Sequence, residues 1–462
     1  MTEQIRPSGI DGLNIPTEWG YSRFRKLFTF GKGLNITKEN LIEDGVPVIS
    51  YGQVHSKTNT GTSINDTMIR FVSESFLKTD KQALTQKGDF IFADTSEDLD
   101  GVGNCAFIDR TCAIFAGYHS IIAHPKTKDI FPKYFAYQFL TDMWRSQIRA
   151  NVMGVKVFSI TQKLIRDTTV IIPDVNEQKA IADYLDAQCT KIDSVAADLE
   201  KQIDLLQKYK KSLITETVTK GLDKSVPMKN SGIEWIGEIP LDWKVSRIKY
   251  LIDPNHPYPI GDGDHGIIKA DDYLDEGIPY IRVLNLTWGY GLNMDSIVYI
   301  SKEMNAQIKN SELKPNDLLI AKTGATIGKT AIVPNSLPIS NTTSHVGKIT
   351  LPTSHDAKYF YYVLTSDIIQ KQIQDISAMQ STRPELGIDG LKNMVVVVPT
   401  ISEQQAISQY LDKHCAAVDE IIKAKNEQLS VINTQKMALI YEYVTGKKRV
   451  KEAAQWQSKA VN

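Results

Sequence analysis

Residues 177–193 read E-Q-K-A-I-A-D-Y-L-D-A-Q-C-T-K-I-D, and residues 403–419 read E-Q-Q-A-I-S-Q-Y-L-D-K-H-C-A-A-V-D. At an offset of 226, residues 177–220 and 403–446 agree at 16 of 44 positions. Each copy follows an apolar strand that ends in proline, V-I-I-P at Val170–Pro173 and V-V-V-P at Val396–Pro399. Within the first copy Leu185, Ile192, Leu199, Leu206 and Leu213 recur every seven residues, with Ile181, Gln188, Val195, Gln202 and Tyr209 as a second column. In the second copy the columns are Leu411, Val418, Lys425, Ile432, Leu439 and Ile407, His414, Ile421, Gln428, Gln435. Sustained three-and-four spacing without proline predicts two long helices paired as a coiled coil. At 1.5 Å rise, about 37 residues make a rod of roughly 55 Å, the length of a spacer. Gln202 and Gln428 occupy equivalent seam positions, where they either fix register or mark a wet, weak stretch. His414 reads as a partly exposed packing residue.

The repeat extends upstream. Ile15-Pro16-Thr17-Glu18-Trp19 returns as Ile239-Pro240-Leu241-Asp242-Trp243, and E-D-G-V-P-V-I-S from Glu43 as D-E-G-I-P-Y-I-R from Asp275. Gly88–Ala93 matches Asn316–Ala321. The intervening parts show short apolar runs and many glycines, with helical pieces near Phe131–Arg149 and Ala357–Ile376. The expected fold is α+β: two mixed, β-rich domains in a tandem, pseudo-twofold repeat, separated by two long helices. The expected segments are a first domain over 1–175, a helix over 176–222, a second domain over 223–400, a helix over 401–447 and a basic tail over 448–462.

One motif suggests a different chemistry. Lys322–Thr330 reads K-T-G-A-T-I-G-K-T, which looks like a phosphate-gripping loop. That loop needs four residues between its glycines and a helix after it. Here Gly324 and Gly328 are separated by three, and β-like Ala331-Ile332-Val333-Pro334 follows. The equivalent stretch from Asp94 has no G-K-T. The reading is a hairpin.

Composition narrows the class. The 462 residues are 42% hydrophobic and 23% charged, with a formal net charge of −1, so any nucleic-acid surface is a local patch rather than a global field. Cys105, Cys112, Cys189 and Cys415 have no C-x-x-C spacing and read as reduced thiols, neither a disulfide framework nor a zinc site. The first residues lack an apolar signal core, and no run of 18 apolar residues appears, so the expected compartment is the cytoplasm, with no membrane association.

With both repeats on view, the chain resembles the specificity subunit of type I restriction–modification enzymes. The resemblance rests on S-G-I-E-W-I-G-E-I-P-L-D-W (Ser231–Trp243), the E-Q-x-A-I-x-x-Y-L-D helix starts at Glu177 and Glu403, and the strand-proline segments before them. It covers nearly the whole chain. It implies two target-recognition domains, each reading one half of a split DNA sequence, held apart by the two long helices packed antiparallel as a coiled coil. It also implies two modification subunits that methylate adenine and restriction subunits that translocate and cleave. S-adenosylmethionine, ATP and Mg would belong to those partners, with no cofactor or catalytic residue in this chain. The alternative is a coiled-coil scaffold, or an orphan DNA-binding chain without catalytic partners.

Catalytic motifs are missing or broken. Asp253-Pro254-Asn255-His256-Pro257-Tyr258 is not an adenine methyltransferase N-P-P-Y, and Phe30-Gly31-Lys32-Gly33 fails the spacing of a cofactor loop. Asp174 and Glu177, which a nuclease motif would need further apart, read as an N-cap and its capping-box partner. Base edges and phosphates are contacted by polar loop residues. The candidates are Lys57, Asp94, Ser96, His119 and Lys156 in the first domain. In the second they are Arg282, Asn285, Lys322, Thr323 and Lys329, with the loop Ser381, Thr382 and Arg383. The tail Lys447-Lys448-Arg449-Val450-Lys451 is expected to be solvated.

Overall fold

The computed structural model describes residues 5–10, 12–288, 290–378 and 384–450. The chain forms two compact units, 1–199 with 427–462 and 200–426. Each long helix therefore gives one half to each unit.

In the first unit a four-stranded antiparallel sheet contains β1 (Phe28–Lys32), β2 (Phe90–Ala93), β3 (Cys105–Phe107) and β4 (Ser120–Pro125), in the order β3-β2-β4-β1. All four residues of β2 are buried, because the sheet is covered on both faces. Phe90 and Phe92 enter one core, while Ile91 and Ala93 enter another, as strand alternation requires. A five-stranded sheet lies beside it and includes one parallel pair, Val46–Ile49 with Ile114–Ala116. Two short helices follow, α1 (Pro132–Leu140) and α2 (Asp142–Arg149). Pro132 opens α1 where a missing N–H costs nothing, and the extended Thr141 separates the two helices within the expected helical stretch. The long helix α3 then runs over Val175–Lys220, 46 residues, or roughly 69 Å.

The second unit repeats this plan. Strands β5 (Ile260–Asp262), β6 (Leu318–Ala321), β7 (Thr330–Ile332) and β8 (Val346–Ile349) form a sheet in the order β7-β6-β8-β5. That is the first sheet's topology, strand for strand. Leu318 and Ile320 enter one core, Leu319 and Ala321 another. Helices α4 (Ala357–Thr365) and α5 (Asp367–Ala378) match α1 and α2, and α6 (Ile401–Val444) matches α3. The strand before each long helix pairs with the strand after the repeated tryptophan: Thr169–Ile172 with Gly20–Arg23, and Val395–Val398 with Lys244–Arg247.

The tryptophans explain why that motif repeats. Trp19 and Trp243 are fully buried, and each indole must place its N–H. Trp19 donates to Glu177 at 2.9 Å and Trp243 to Glu403 at 3.0 Å. The Glu177 carboxylate therefore faces Trp19 and Arg449 rather than closing a capping box on Asp174, whose own side chain accepts from Asn176 N–H at 2.9 Å. The reciprocal box forms in the other copy, between Thr400 and Glu403. Burial opposes ionisation of Glu403, but the Trp243 and Thr400 donors outweigh it and hold its pKa below the ordinary carboxylate value. Each unit also closes on the end of the other copy's helix. Tyr134 donates to the carbonyl of Val444 at 3.0 Å, and Tyr359 to that of Val218 at 3.2 Å. Gly446, at φ +75°, lies against Trp19, and Gly221, at φ +74°, against Trp243, where the left-handed cap favours glycine.

The helices are antiparallel within each unit. In the first, Tyr184 meets Tyr443 and Asp193 pairs with Lys436 at 2.6 Å; in the second, Gln202 accepts from Lys425 and Lys210 pairs with Asp419 at 2.6 Å. The seam column through Leu185, Ile192, Leu199, Leu206 and Leu213, with Leu411, Val418, Ile432 and Leu439, is buried or half-buried throughout. The expected second column needs correction. Ile181 and Ile407 are buried in the domain cores, but Val195 and Ile421 are about half exposed, at 50% and 46%. Their place is taken by Cys189, Ala196, Ile203 and Lys210, and by Cys415, Ile422, Leu429 and Lys436. Both columns satisfy three-and-four spacing around the leucines, so periodicity does not choose between them. The lysines fit because their aliphatic stems cover the seam while their heads reach an aspartate. Leu199→Ala is expected to lower stability by about 2–4 kcal/mol, against less than about 1 for Val195→Ala. Chemical denaturation followed by circular dichroism checks the order.

The cysteines are free: Cys105, Cys189 and Cys415 are buried and Cys112 is exposed. Burial pushes the Cys189 and Cys415 thiols up to about 11. No helix among the described residues is long and apolar enough to cross a membrane.

Candidate nucleic-acid interface

In the first unit the end of β2, the turn before β4 and the chain around Ser159–Gln162 enclose a cleft of about 1050 Å³. Lys32, Lys38, Asp94, His119, Thr161 and Gln162 are among the residues lining it. His119 sits at φ +54° on the turn before β4. Its Nδ1 lies 3.0 Å from the Asp94 carboxylate and its exposed ring touches Tyr51 and Tyr118, with centroids 5.5 and 5.4 Å away. Asp94 also accepts from the Thr95 hydroxyl at 2.8 Å. The arrangement presents an oriented imidazole, two aromatic faces and flanking lysines, a surface able to hydrogen-bond, stack and hold anions. Lys57 and Lys156 are exposed. Ser96 is buried and donates to the Asp98 carbonyl at 2.7 Å, so its hydroxyl is spent on the turn.

In the second unit Lys322 takes the position of Asp94, at the end of β6, and is only 3% exposed. Its ammonium pairs with the buried Asp262 carboxylate and donates to the Ser344 carbonyl at 3.2 Å. Asp262 also meets His265 Nε2 at 2.9 Å. Lys322 is thus a buried structural cation rather than an accessible loop residue. Asn285 is likewise fully buried; it caps the Arg282 N–H at 2.9 Å and donates to the Asn293 carbonyl at 2.9 Å. Arg282 is half-buried, donates to the Ser296 carbonyl at 2.7 Å and lies over the Tyr273 ring at 5.3 Å. Thr323 meets His345 Nδ1 at 3.1 Å, and Lys329 is half-buried beside it in the turn. Ser381, Thr382 and Arg383 lie outside the described residues.

His345 and His265 were not among the sequence candidates. His345 stands 226 residues after His119, on the same turn and at the same offset as the helices. Aligning the two halves through that turn marks it. The expected hairpin at Lys322–Thr330 is present: β6 and β7 pair antiparallel, and Gly324 and Gly328 take positive φ values, +78° and +87°. No helix follows it to hold a phosphate. At the C-terminus, Arg449 pairs with Glu18 and Glu177, and Lys448 with Glu442 at 2.8 Å. Arg449 is thus tied into the first unit rather than solvated, whereas Lys447 and Lys448 are exposed, and Lys451 lies outside the described residues. Among the described residues no cluster of His, Cys, Asp or Glu could hold a metal ion.

The chain resembles known proteins in both sequence and fold. It is 28% identical over 343 residues to the type I restriction enzyme EcoBI specificity subunit of Escherichia coli, covering 72% of this chain and 68% of that one. It is 22% identical over 453 residues to the MjaVIII specificity subunit of Methanocaldococcus jannaschii, covering 95% of each. A solved structure described as "Structural basis underlying complex assembly and conformational transition of the type I R-M system" superposes with a TM-score of 0.66 over 94% of this chain and 99% of the other, at 15% identity. The family model for the type I restriction modification DNA specificity domain matches twice, over residues 16–205 and 240–431. Each match takes in one domain and the first part of its helix, so the chain belongs to the type I restriction–modification DNA specificity family.

Proposed function

We propose that each unit reads one half of a split, asymmetric duplex DNA target, and that the chain brings two adenine-N6 methyltransferase subunits and ATP-dependent restriction subunits to it. The specificity role, without catalysis of its own, follows from membership of the family. The observation that supports two different half-sites is local: the same turn carries an exposed histidine with different neighbours, His119 against Asp94, Tyr51 and Tyr118 in one unit and His345 against Thr323 in the other. Equivalent positions that present different groups would select different bases. S-adenosylmethionine, ATP and Mg are assigned to the partners, and the compartment to the cytoplasm. The candidates proposed to touch DNA are Lys57, His119, Lys156, Arg282, Thr323 and Lys329, with His345 added.

A phosphate-held complex releases counterions. The test is the affinity of the full chain, assembled with its modification subunits, for duplex DNA across a salt series. Affinity should fall by about 10³-fold or more between 50 and 200 mM salt if six or more phosphates are held. Salt-independent binding, or none, would contradict the reading.

A further inference from the structure

The loop after α2 shows an unusual surface. Val155 is 95% exposed, Met153 80% and Val157 52%. Single exposed apolar side chains are ordinary, but three within five residues on one loop mark a contact surface. The loop is built rather than slack. Met153 bridges Ser159, and the Ser159 N–H donates to the Met153 carbonyl at 3.2 Å. Phe158–Ser159 pairs with Thr95–Ser96, and the Ile160 N–H donates to the Asp94 carbonyl at 2.7 Å. A Cβ at Gly154 would lie 2.1 Å from the Val157 carbonyl oxygen, so only glycine closes the tip. The apolar tip is thereby anchored to the strand end whose Asp94 orients His119, and the chain leaving it, Ser159–Gln162, lines the same cleft. Lys156 is exposed between the aliphatic groups.

We propose that Met153, Val155 and Val157 contact thymine C5-methyl groups in the major groove of the half-site read by the first unit, with Lys156 on a neighbouring phosphate. The thymine methyl is the apolar group that base edges offer in that groove, and an aliphatic tip beside a lysine matches a methyl beside a phosphate. This inference rests on the DNA-reading function proposed above.

The test uses the full chain with its modification subunits and a duplex carrying the motif methylated in the host. Each thymine of the first half-site is replaced in turn by uracil, which removes the methyl alone. The protein variant is M153S/V155S, which leaves Gly154 in place. One uracil position should weaken wild-type binding by about fourfold, the loss of one buried methyl group. The variant should lose a similar factor on the thymine duplex and nothing more on that uracil duplex. Specific binding that survives every uracil substitution overturns the inference and leaves DNA reading standing. A loss in the variant that no uracil reproduces also overturns it. So does a variant that sheds its modification subunits while still holding DNA, since the loop would then be a protein-docking element. Absence of specific binding in the wild type would sink the function and the inference together.

Discussion

Lys322→Ala lowers the stability of the second unit by about 3 kcal/mol, because it leaves the buried Asp262 carboxylate with only the exposed His265 ring beside it. Both partners are nearly inaccessible, at 3% and 7% exposure. The ammonium also satisfies the Ser344 carbonyl, and the Lys322 backbone bonds His345 and Leu386. The loss would be spread over β6 and β8, so hydrogen exchange in residues 318–349 should accelerate together with an earlier denaturation transition. Removing both charges in K322M/D262L should recover most of the loss, since an apolar pair of similar volume is tolerated where a lone charge is not. Lys57→Ala serves as the contrast. It should leave stability within about 0.5 kcal/mol and reduce the salt slope of DNA binding by about one. A Lys322→Ala protein of unchanged stability would show that the Lys322–Asp262 pair does not carry the second unit.

The second large effect concerns the target. Deleting the repeat-equivalent heptads 198–204 and 424–430 together should abolish methylation of the original motif and create one with the same half-sites and a shorter unread gap. Seven residues keep the seam in phase and remove about 10 Å from each helix. That corresponds to a gap shorter by up to about three base pairs. Deleting one heptad alone should instead mismatch the pairs Asp193–Lys436 and Lys210–Asp419 and lower stability. Methylation mapping of cells carrying the double deletion reads the result. An unchanged gap would end the idea that the helix pair sets the spacing.

Much of this architecture is legible in the sequence because it is written twice. The leucine column from Leu185 to Leu213 gives the helices their period, and the repeated I-P-x-[ED]-W stretch marks the tryptophans that meet Glu177 and Glu403. The second seam column is not legible. Gln188 and Cys189 are neighbours, each in a column with three-and-four spacing, and tertiary pairing decides which turns inward. The reading surface is less legible still. Lys322 and Asn285 look like loop residues from their polarity and neighbouring glycines or leucines, but a buried cation is recognised only once Asp262, sixty residues away, arrives beside it. The exposed candidates Lys57 and Lys156 carry no such ambiguity, because nothing folds over them. His345 was missed for a different reason: alone it is an unremarked polar residue, and it gains meaning only as the repeat of His119.

The proposed role of this chain is selection of a split, asymmetric DNA target for adenine methylation. The most direct measurement is the adenine-methylation map of the host genome, with and without the gene. Loss of methylation at one bipartite motif, with two different half-sites and an unread gap, is the result expected. A map identical in the two strains, with the modification and restriction subunits present and active, would contradict it.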